Sequence, residues 1–139
     1  MPLTWAPSLA TGIRQIDLQH RELIDLVAEF ELAHEAGDTA RIVEDILQRL
    51  TAYALFHFAT EETLMRAMPG CHLHGTAHVR EHNIFGEKMA ALRELSRAER
   101  HAETTALLDY LKQWLTNHIM KTDKELATLL HNIGGQASS

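Results

Sequence analysis

Apolar residues recur every three or four positions along most of the chain, which is the period of an amphipathic α-helix. The longest such pattern lies in the middle of the sequence and comprises Val43, Ile46, Leu47, Leu50, Tyr53, Ala54, Leu64 and Met65. Three other patterns surround it, one through Leu23, Val27 and Phe30, one from Phe85 to Leu95, and one from Leu108 to Leu130. No segment alternates apolar and polar residues as a strand does. The pattern therefore predicts an all-α protein, an up-down-up-down four-helix bundle.

Helix-breaking and helix-capping residues separate these four patterns. Asp17 is a good N-cap and is expected near the start of the first helix, which Gly37 ends. Asp38 is expected to cap the second helix, and Pro69-Gly70 ends it. A loop over residues 71–75 then leads to the third helix.

The two ends of the chain differ in composition from the helical patterns. Residues 1–16 contain Trp5, Pro7 and Gly12, and they predict an N-terminal arm. Residues 132–139 contain two glycines and two serines, and they predict a flexible tail. We therefore expect a single domain over residues 1–139.

Composition and charge exclude several classes of protein. The chain has 139 residues and a net charge of −6, and it shows no basic stripe of the kind that nucleic acids require. No apolar run is long enough to cross a membrane. A single cysteine is ordinary for a reducing compartment, and no signal peptide is visible, so a cytoplasmic location is expected. The unusual number is that of the histidines, which are 10 against 4 phenylalanines.

Many of these histidines fall on the apolar faces of the predicted helices, together with two carboxylates. The residues that interrupt the four faces are His20, His57, Glu61, His78, His82, His118 and Asp123. Burying a charged group without a partner is costly. The summed cost of burying seven such groups would exceed the ~5–15 kcal/mol that stabilises a domain. A buried metal centre would compensate them. Four of the five other histidines, His34, His72, His101 and His131, are expected at the surface or in loops.

The spacing and chemistry of these residues agree with a metal centre. His57/Glu61 and His78/His82 are four residues apart, so each pair projects from one helix face. His118 and Asp123 are five apart, about 140° around an ideal helix, so either they reach different ions or one bridges both. Imidazole and carboxylate ligands without thiolate suit iron, but also zinc, copper, nickel or manganese. Seven ligands are too many for one structural zinc ion and are the right number for two six-coordinate ions.

Four stretches, each in a different predicted helix, resemble the haemerythrin family and in particular the bacterial single-domain haemerythrins. They are Ile16-Asp17-Leu18-Gln19-His20, His57-Phe58-Ala59-Thr60-Glu61-Glu62, His78-Val79-Arg80-Glu81-His82-Asn83-Ile84-Phe85, and Trp114-Leu115-Thr116-Asn117-His118 followed by Asp123. Trp5 in the arm also fits. The resemblance covers nearly the whole chain.

The resemblance implies a particular assignment of ligands to two iron ions. One iron would be held by His78, His82 and His118, and the other by His20 and His57. Glu61 and Asp123 would bridge the ions, with an oxo or hydroxo group as a third bridge. Dioxygen would bind reversibly at the open position of the two-histidine iron, in a dry apolar pocket walled by Phe58, Trp114, Leu115 and Ile119.

The function implied by the resemblance is that of an oxygen carrier, store or buffer without enzymatic activity. Two alternatives stay open: an oxygen or redox sensor acting through a partner protein, and a di-iron oxidase or a protein that handles peroxide or nitric oxide. The segment from Met68 to His74 departs from many relatives, which have a Tyr-Pro pair there and a shorter loop. Because His74 is also four residues before His78, a shifted pair His74/His78 is conceivable, although Glu81 and Phe85 favour His78/His82. Glu62 and Glu81 are expected to face solvent, and Glu81 is also a candidate outer partner for a ligand histidine.

Overall fold

Four antiparallel helical arms form the molecule, which is described by a computed structural model over residues 3–67 and 72–137. A short 3₁₀ turn, Pro7–Leu9, lies in the N-terminal arm. The helices are α1 (Arg14–Glu35), α2 (Ala40–Arg66), α3 (His72–Arg97), α4 (His101–Asn117) and α5 (Lys124–Ala137), with a π-helical turn, His118–Asp123, joining α4 to α5. The described residues contain no strand.

Side-chain contacts show that neighbouring helices are antiparallel, as an up-down-up-down bundle requires. Between α1 and α2, for example, His57 contacts Gln19 near one end of the pair and Arg49 contacts Glu29 further along. The fourth arm, formed by α4, the π-helical turn and α5, closes the bundle against α1 through a partly buried ion pair between Lys112 and Glu31. The predicted four-helix bundle is therefore confirmed.

The first helix begins three residues earlier than the sequence indicates. Ile13 occupies the N-cap position and makes no side-chain cap, while Asp17 lies in the first turn. The carboxylate of Asp17 accepts hydrogen bonds from the backbone N–H and hydroxyl of Thr11, at 2.7 and 2.8 Å, and from the N–H of Gly12 at 3.2 Å. Asp17 thus ties the arm to the helix instead of capping it, so the prediction of its position was wrong.

The joint between α1 and α2 follows the sequence in part. Gly37 adopts a φ of +68°, in the left-handed region where a residue without a Cβ is favoured, and α1 ends before it as predicted. The cap of α2 is Thr39, whose hydroxyl accepts from the N–H of Ile42 at 3.4 Å, so Asp38 was the wrong residue.

The third helix begins earlier than predicted. Helix α3 begins at His72, so the predicted loop over residues 71–75 is wrong for 72–75, while residues 68–71 lie outside the described residues. This longer helix places His74 one turn before His78. At the other end of the chain the helical backbone continues to Ala137, residues 138–139 lie outside the described range, and the flexible tail stays a prediction.

The core of the bundle is a continuous cluster of buried apolar side chains from all four arms. Its largest fully buried members include Phe30, Phe85, Leu47, Leu92 and Leu115. Fully burying one side chain of this size contributes about 1.5–3 kcal/mol. A smaller cluster around Ile16, Met65 and Leu126 lies beyond the polar residues described below.

Among the remaining histidines, one departs from its predicted surface position. His101 and His131 are exposed, but His34 is only 9% exposed. It lies 2.8 Å from the hydroxyl of Thr105 and stacks on the ring of His101 at 4.0 Å. Pairing with these α4 side chains allows an imidazole to be buried here. The side chain of His72 lies outside the described residues. No helix in the described residues has the length and apolar character needed to span a membrane.

Candidate metal centre

Seven residue positions singled out in the sequence converge inside the bundle. Helix α1 supplies His20, α2 supplies His57 and Glu61, α3 supplies His78 and His82, and the π-helical turn supplies His118 and Asp123. Every one of them is buried, with at most 3% of its surface exposed. The four arms therefore deliver five imidazoles and two carboxylates to one interior site.

The seven side chains form two overlapping sets. Glu61, His78, His82, His118 and Asp123 each place a ligand atom within 4.8 Å of the others, and His20, His57, Glu61 and Asp123 do the same. The two carboxylates belong to both sets. One set thus has three imidazoles and the other has two, with Glu61 and Asp123 between them.

Each carboxylate contacts imidazoles of both sets. Asp123 lies 2.8 Å from Nε2 of His20, 3.0 Å from Nε2 of His78 and 3.1 Å from Nε2 of His118. Glu61 lies 2.8 Å from Nε2 of His57, 3.4 Å from Nε2 of His82 and 3.6 Å from Nε2 of His78. Both side chains therefore occupy the bridging position between the two groups of imidazoles.

The atoms that face this site are buried but make no hydrogen bonds. Within the described residues no partner with hydrogen-bond geometry reaches Nε2 of the five histidines or either oxygen of Glu61 and Asp123. Buried polar atoms are nearly always paired, so nine such atoms in one place require a common ligand. Metal cations satisfy lone pairs of this kind directly, and the donor set fits a metal centre.

The π-helical turn explains how two residues five apart reach the same site. In an α-helix His118 and Asp123 would diverge by about 140°, whereas a π-helix closes its hydrogen bonds between residues i and i+5 and aligns those positions. The turn spans His118–Asp123, and His118 Nε2 lies 3.1 Å from Asp123. Because Asp123 also contacts His20 and His78, the structure favours the alternative in which one residue faces both sets.

The outward-facing ring nitrogens of four histidines contact polar side chains. Nδ1 of His57 lies 2.7 Å from the amide oxygen of Gln19, and Nδ1 of His78 lies 2.9 Å from Nε2 of His74. Nδ1 of His82 lies 3.4 Å from Glu62 and Nδ1 of His118 lies 3.5 Å from Glu81. Such partners fix the tautomer and orientation of a ligand imidazole.

Two of these outer partners were not anticipated. The carboxylate of Glu81 accepts a hydrogen bond from the hydroxyl of Thr122 at 2.7 Å and faces His118, so it lies beside a histidine of the cluster as expected, and its side chain is 37% exposed. Gln19 and His74 were assigned no such place. The only available signal was spacing, since Gln19 adjoins His20 and His74 precedes His78 by one turn. Within the described residues His74 contributes no atom to the cluster, so the shifted pair His74/His78 is not what the structure brings together.

Charges in the cluster shift the pKa values of its members in the metal-free protein. Burial and the neighbouring Asp123 raise the pKa of Glu61, but the imidazoles of His57, His78 and His82 outweigh them and lower it to about 2. Burial lowers the pKa of His118, but Asp123, Glu81 and Glu61 outweigh it and raise it to about 10. The two carboxylates are therefore ionised near neutral pH, as metal ligands must be.

Aromatic and aliphatic side chains enclose the cluster from the core side. Phe58 stacks on the ring of His82 at 4.0 Å, and Trp114 stacks on the ring of His118 at 4.7 Å. Leu115 and Ile119 are 2% and 0% exposed and belong to the same apolar cluster as Phe58. Of the four residues predicted to wall a pocket, Phe58, Leu115 and Ile119 thus belong to the core, and Trp114 is half-buried and packs against it.

The fold and the site together define a class of protein: four-helix bundles that hold a metal centre of histidines and shared carboxylates in their interior. A family model described as the Hemerythrin HHE cation binding domain matches residues 11–130. The chain belongs to the hemerythrin family, as its motifs indicated.

Individual relatives agree with this family assignment. A protein named bacteriohemerythrin from Pseudomonas aeruginosa is 32% identical over 121 residues, covering 87% of this chain and 76% of the relative. A bacteriohemerythrin from Stenotrophomonas maltophilia is 32% identical over 127 residues, covering 90% and 79%. A hemerythrin-like protein from Naegleria gruberi is 26% identical over 129 residues, covering 93% and 94%.

Proposed function

We propose that this chain binds dioxygen reversibly at a non-haem di-iron centre and acts as an oxygen carrier, store or buffer. The observation that carries the proposal is the pair of overlapping ligand sets that share Glu61 and Asp123. Two sets with two common carboxylates fit two neighbouring cations, because a carboxylate has two oxygens and can offer one to each cation. A single-ion site would leave several of the nine unpaired atoms without a partner.

The proposed ligands follow the two sets. His78, His82 and His118 would hold one iron, His20 and His57 the other, and Glu61 and Asp123 would bridge them together with an oxo or hydroxo group. Iron, when bound, would supply the electrons that reversible dioxygen binding requires, since it is stable in two oxidation states. The two-histidine set offers one protein ligand fewer, which leaves room for an exogenous molecule at that ion.

The surrounding side chains support binding without turnover. We propose that Phe58, Trp114, Leu115 and Ile119 exclude water and anions from the site, since all four belong to or pack against the apolar core. Within the described residues, no side chain donates a hydrogen bond to the inward-facing atoms of the cluster.

The proposal is tested by loading the protein with iron, reducing it without air, and then admitting dioxygen while the visible spectrum is recorded. We expect two irons per chain and a new charge-transfer band that disappears when dioxygen is removed. The matched variants are His20→Ala, which removes a proposed ligand, and His101→Ala, which removes an exposed imidazole from the other end of the bundle. The first should lose the reversible band and the second should keep it.

One iron per chain, or irreversible conversion to the oxidised form, would contradict the proposed function. Rapid and complete oxidation with two irons bound would instead favour the sensor or the scavenging enzyme. The iron count and the reversibility are read in the same sample, so the metal centre and the dioxygen chemistry are tested separately.

A further inference from the structure

His74 links the candidate metal centre to the surface of the bundle. Its Nε2 lies 2.9 Å from Nδ1 of His78, and its Nδ1 lies 2.8 Å from a carboxylate oxygen of Glu125 in the first turn of α5. The side chain of His74 is 8% exposed and that of Glu125 is 64% exposed. The three residues therefore form a continuous line of contacts from solvent to a residue of the cluster.

The carboxylate of Glu125 determines which nitrogens carry hydrogens in the contacts between Glu125, His74 and His78. An ionised carboxylate only accepts hydrogen bonds, so Nδ1 of His74 carries a hydrogen and donates to Glu125. A neutral imidazole has one donor and one acceptor, which makes Nε2 of His74 the acceptor. Nδ1 of His78 then donates to it, and the lone pair of His78 Nε2 is directed toward Glu61 and Asp123, which lie at 3.6 and 3.0 Å.

This arrangement differs from that of the other histidines in the cluster. His57, His82 and His118 contact an amide or a carboxylate directly, through Gln19, Glu62 and Glu81. Within the described residues, Nδ1 of His20 and Nδ1 of His118 make no hydrogen bond, although the latter faces Glu81 at 3.5 Å. His78 alone reaches its carboxylate through a second imidazole, and that carboxylate lies on α5, two residues after Asp123.

We propose that His74 is a positioning residue for His78, anchored by Glu125, and that it strengthens metal binding specifically in the three-histidine set. The inference rests on the proposed di-metal centre. His74 holds the His78 ring in one orientation and one tautomer. The ring therefore loses less conformational entropy when a cation binds. Replacing outer partners of ligand histidines typically weakens metal binding about 10- to 100-fold.

The test uses cobalt(II) as the probe, titrated into the metal-free protein against a competing chelator while the ligand-field spectrum is recorded. The wild type should bind two cobalt ions per chain. His74→Leu should lower the affinity for one of the two cobalt ions about 10- to 100-fold and leave the affinity for the other unchanged. His74→Gln should restore the affinity and the spectrum, because its amide both accepts from His78 and donates to Glu125.

Two controls distinguish a positioning role of His74 from an effect of its substitution on folding. His101→Leu makes the same side-chain change at the far end of the bundle and should leave both ions unchanged. The urea unfolding midpoints of the metal-free His74→Leu and His74→Gln proteins should agree, so that only the cobalt titration distinguishes the two variants.

The inference is overturned if His74→Leu binds both cobalt ions as tightly as the wild type, or if His74→Gln binds as weakly as His74→Leu. Equal weakening of both ions would also overturn it, because the effect would not be confined to one set. A wild type that binds fewer than two cobalt ions would refute the di-metal centre itself, and that result is visible before any variant is compared.

Discussion

Replacing Glu61, the proposed bridging carboxylate, with its amide should disrupt both halves of the candidate metal centre. Glu61 is 0% exposed, and its oxygens lie 2.8–3.6 Å from Nε2 of His57, His82 and His78. Glu61→Gln keeps the shape of the side chain but removes one of the two negative charges. It also replaces one oxygen by an NH₂ group, which cannot bind a cation.

The size of the effect follows from the burial of the site. Removing one partner from a buried charge pair costs about 3–5 kcal/mol. At 1.4 kcal/mol for each factor of ten, that corresponds to a loss of about 10²- to 10⁴-fold in metal affinity. Because Glu61 belongs to both ligand sets, both ions should be weakened, and we expect Glu61→Gln to retain at most one ion after dialysis.

The assay is metal content per chain after dialysis, followed by competition with a chelator. Glu62→Gln is the matched control, because it makes the same change at the next position, where the side chain is 26% exposed and contacts only the outer nitrogen of His82 at 3.4 Å. Its affinity should fall by no more than about tenfold. Two ions bound by Glu61→Gln with wild-type affinity would refute the bridging role.

Three further perturbations test other parts of the molecule. Leu115 is 2% exposed, so Leu115→Ala should lower the free energy of unfolding by about 2–5 kcal/mol. It should also speed autoxidation of the oxygenated protein. An unchanged rate of autoxidation would mean that Leu115 does not shield the site. The raised pKa of His118, about 10, means that its proton stabilises the metal-free fold fully below about pH 6.5 and that this contribution is lost as the pH rises toward 10. Metal must displace that proton, so apparent affinity for the ion of the three-histidine set, to which His118 belongs, should rise about tenfold per pH unit in this range, and a flat chelator titration would contradict it. Gly37→Ala, at a φ of +68°, should destabilise the metal-free protein by about 1–2 kcal/mol in urea unfolding, and an equal midpoint would show that the joint relaxes.

The sequence alone determined the helices and the residues that face the interior. A 3.6-residue period of apolar residues marks the buried face of a helix whatever the helix packs against. The four helical segments could therefore be predicted from the sequence alone. His57/Glu61 and His78/His82 follow from the same rule, because residues four apart on a helix share a face. The cost of burying charged groups on these faces then indicated a metal centre without reference to the tertiary structure.

Other features were decided by contacts between elements that are distant in sequence. The π-helical turn at His118–Asp123 departs from the helical period, and its effect on the site is visible only where Asp123 meets His20 and His78. The start of α3 was also not visible in the sequence, since a stretch with a glycine and no cap signal resembles a loop. Only when His74 meets Glu125 of α5, 51 residues further along the chain, does its place beside His78 become apparent. Local rules set which way a side chain faces on its own helix, and only the assembled bundle sets what it meets there.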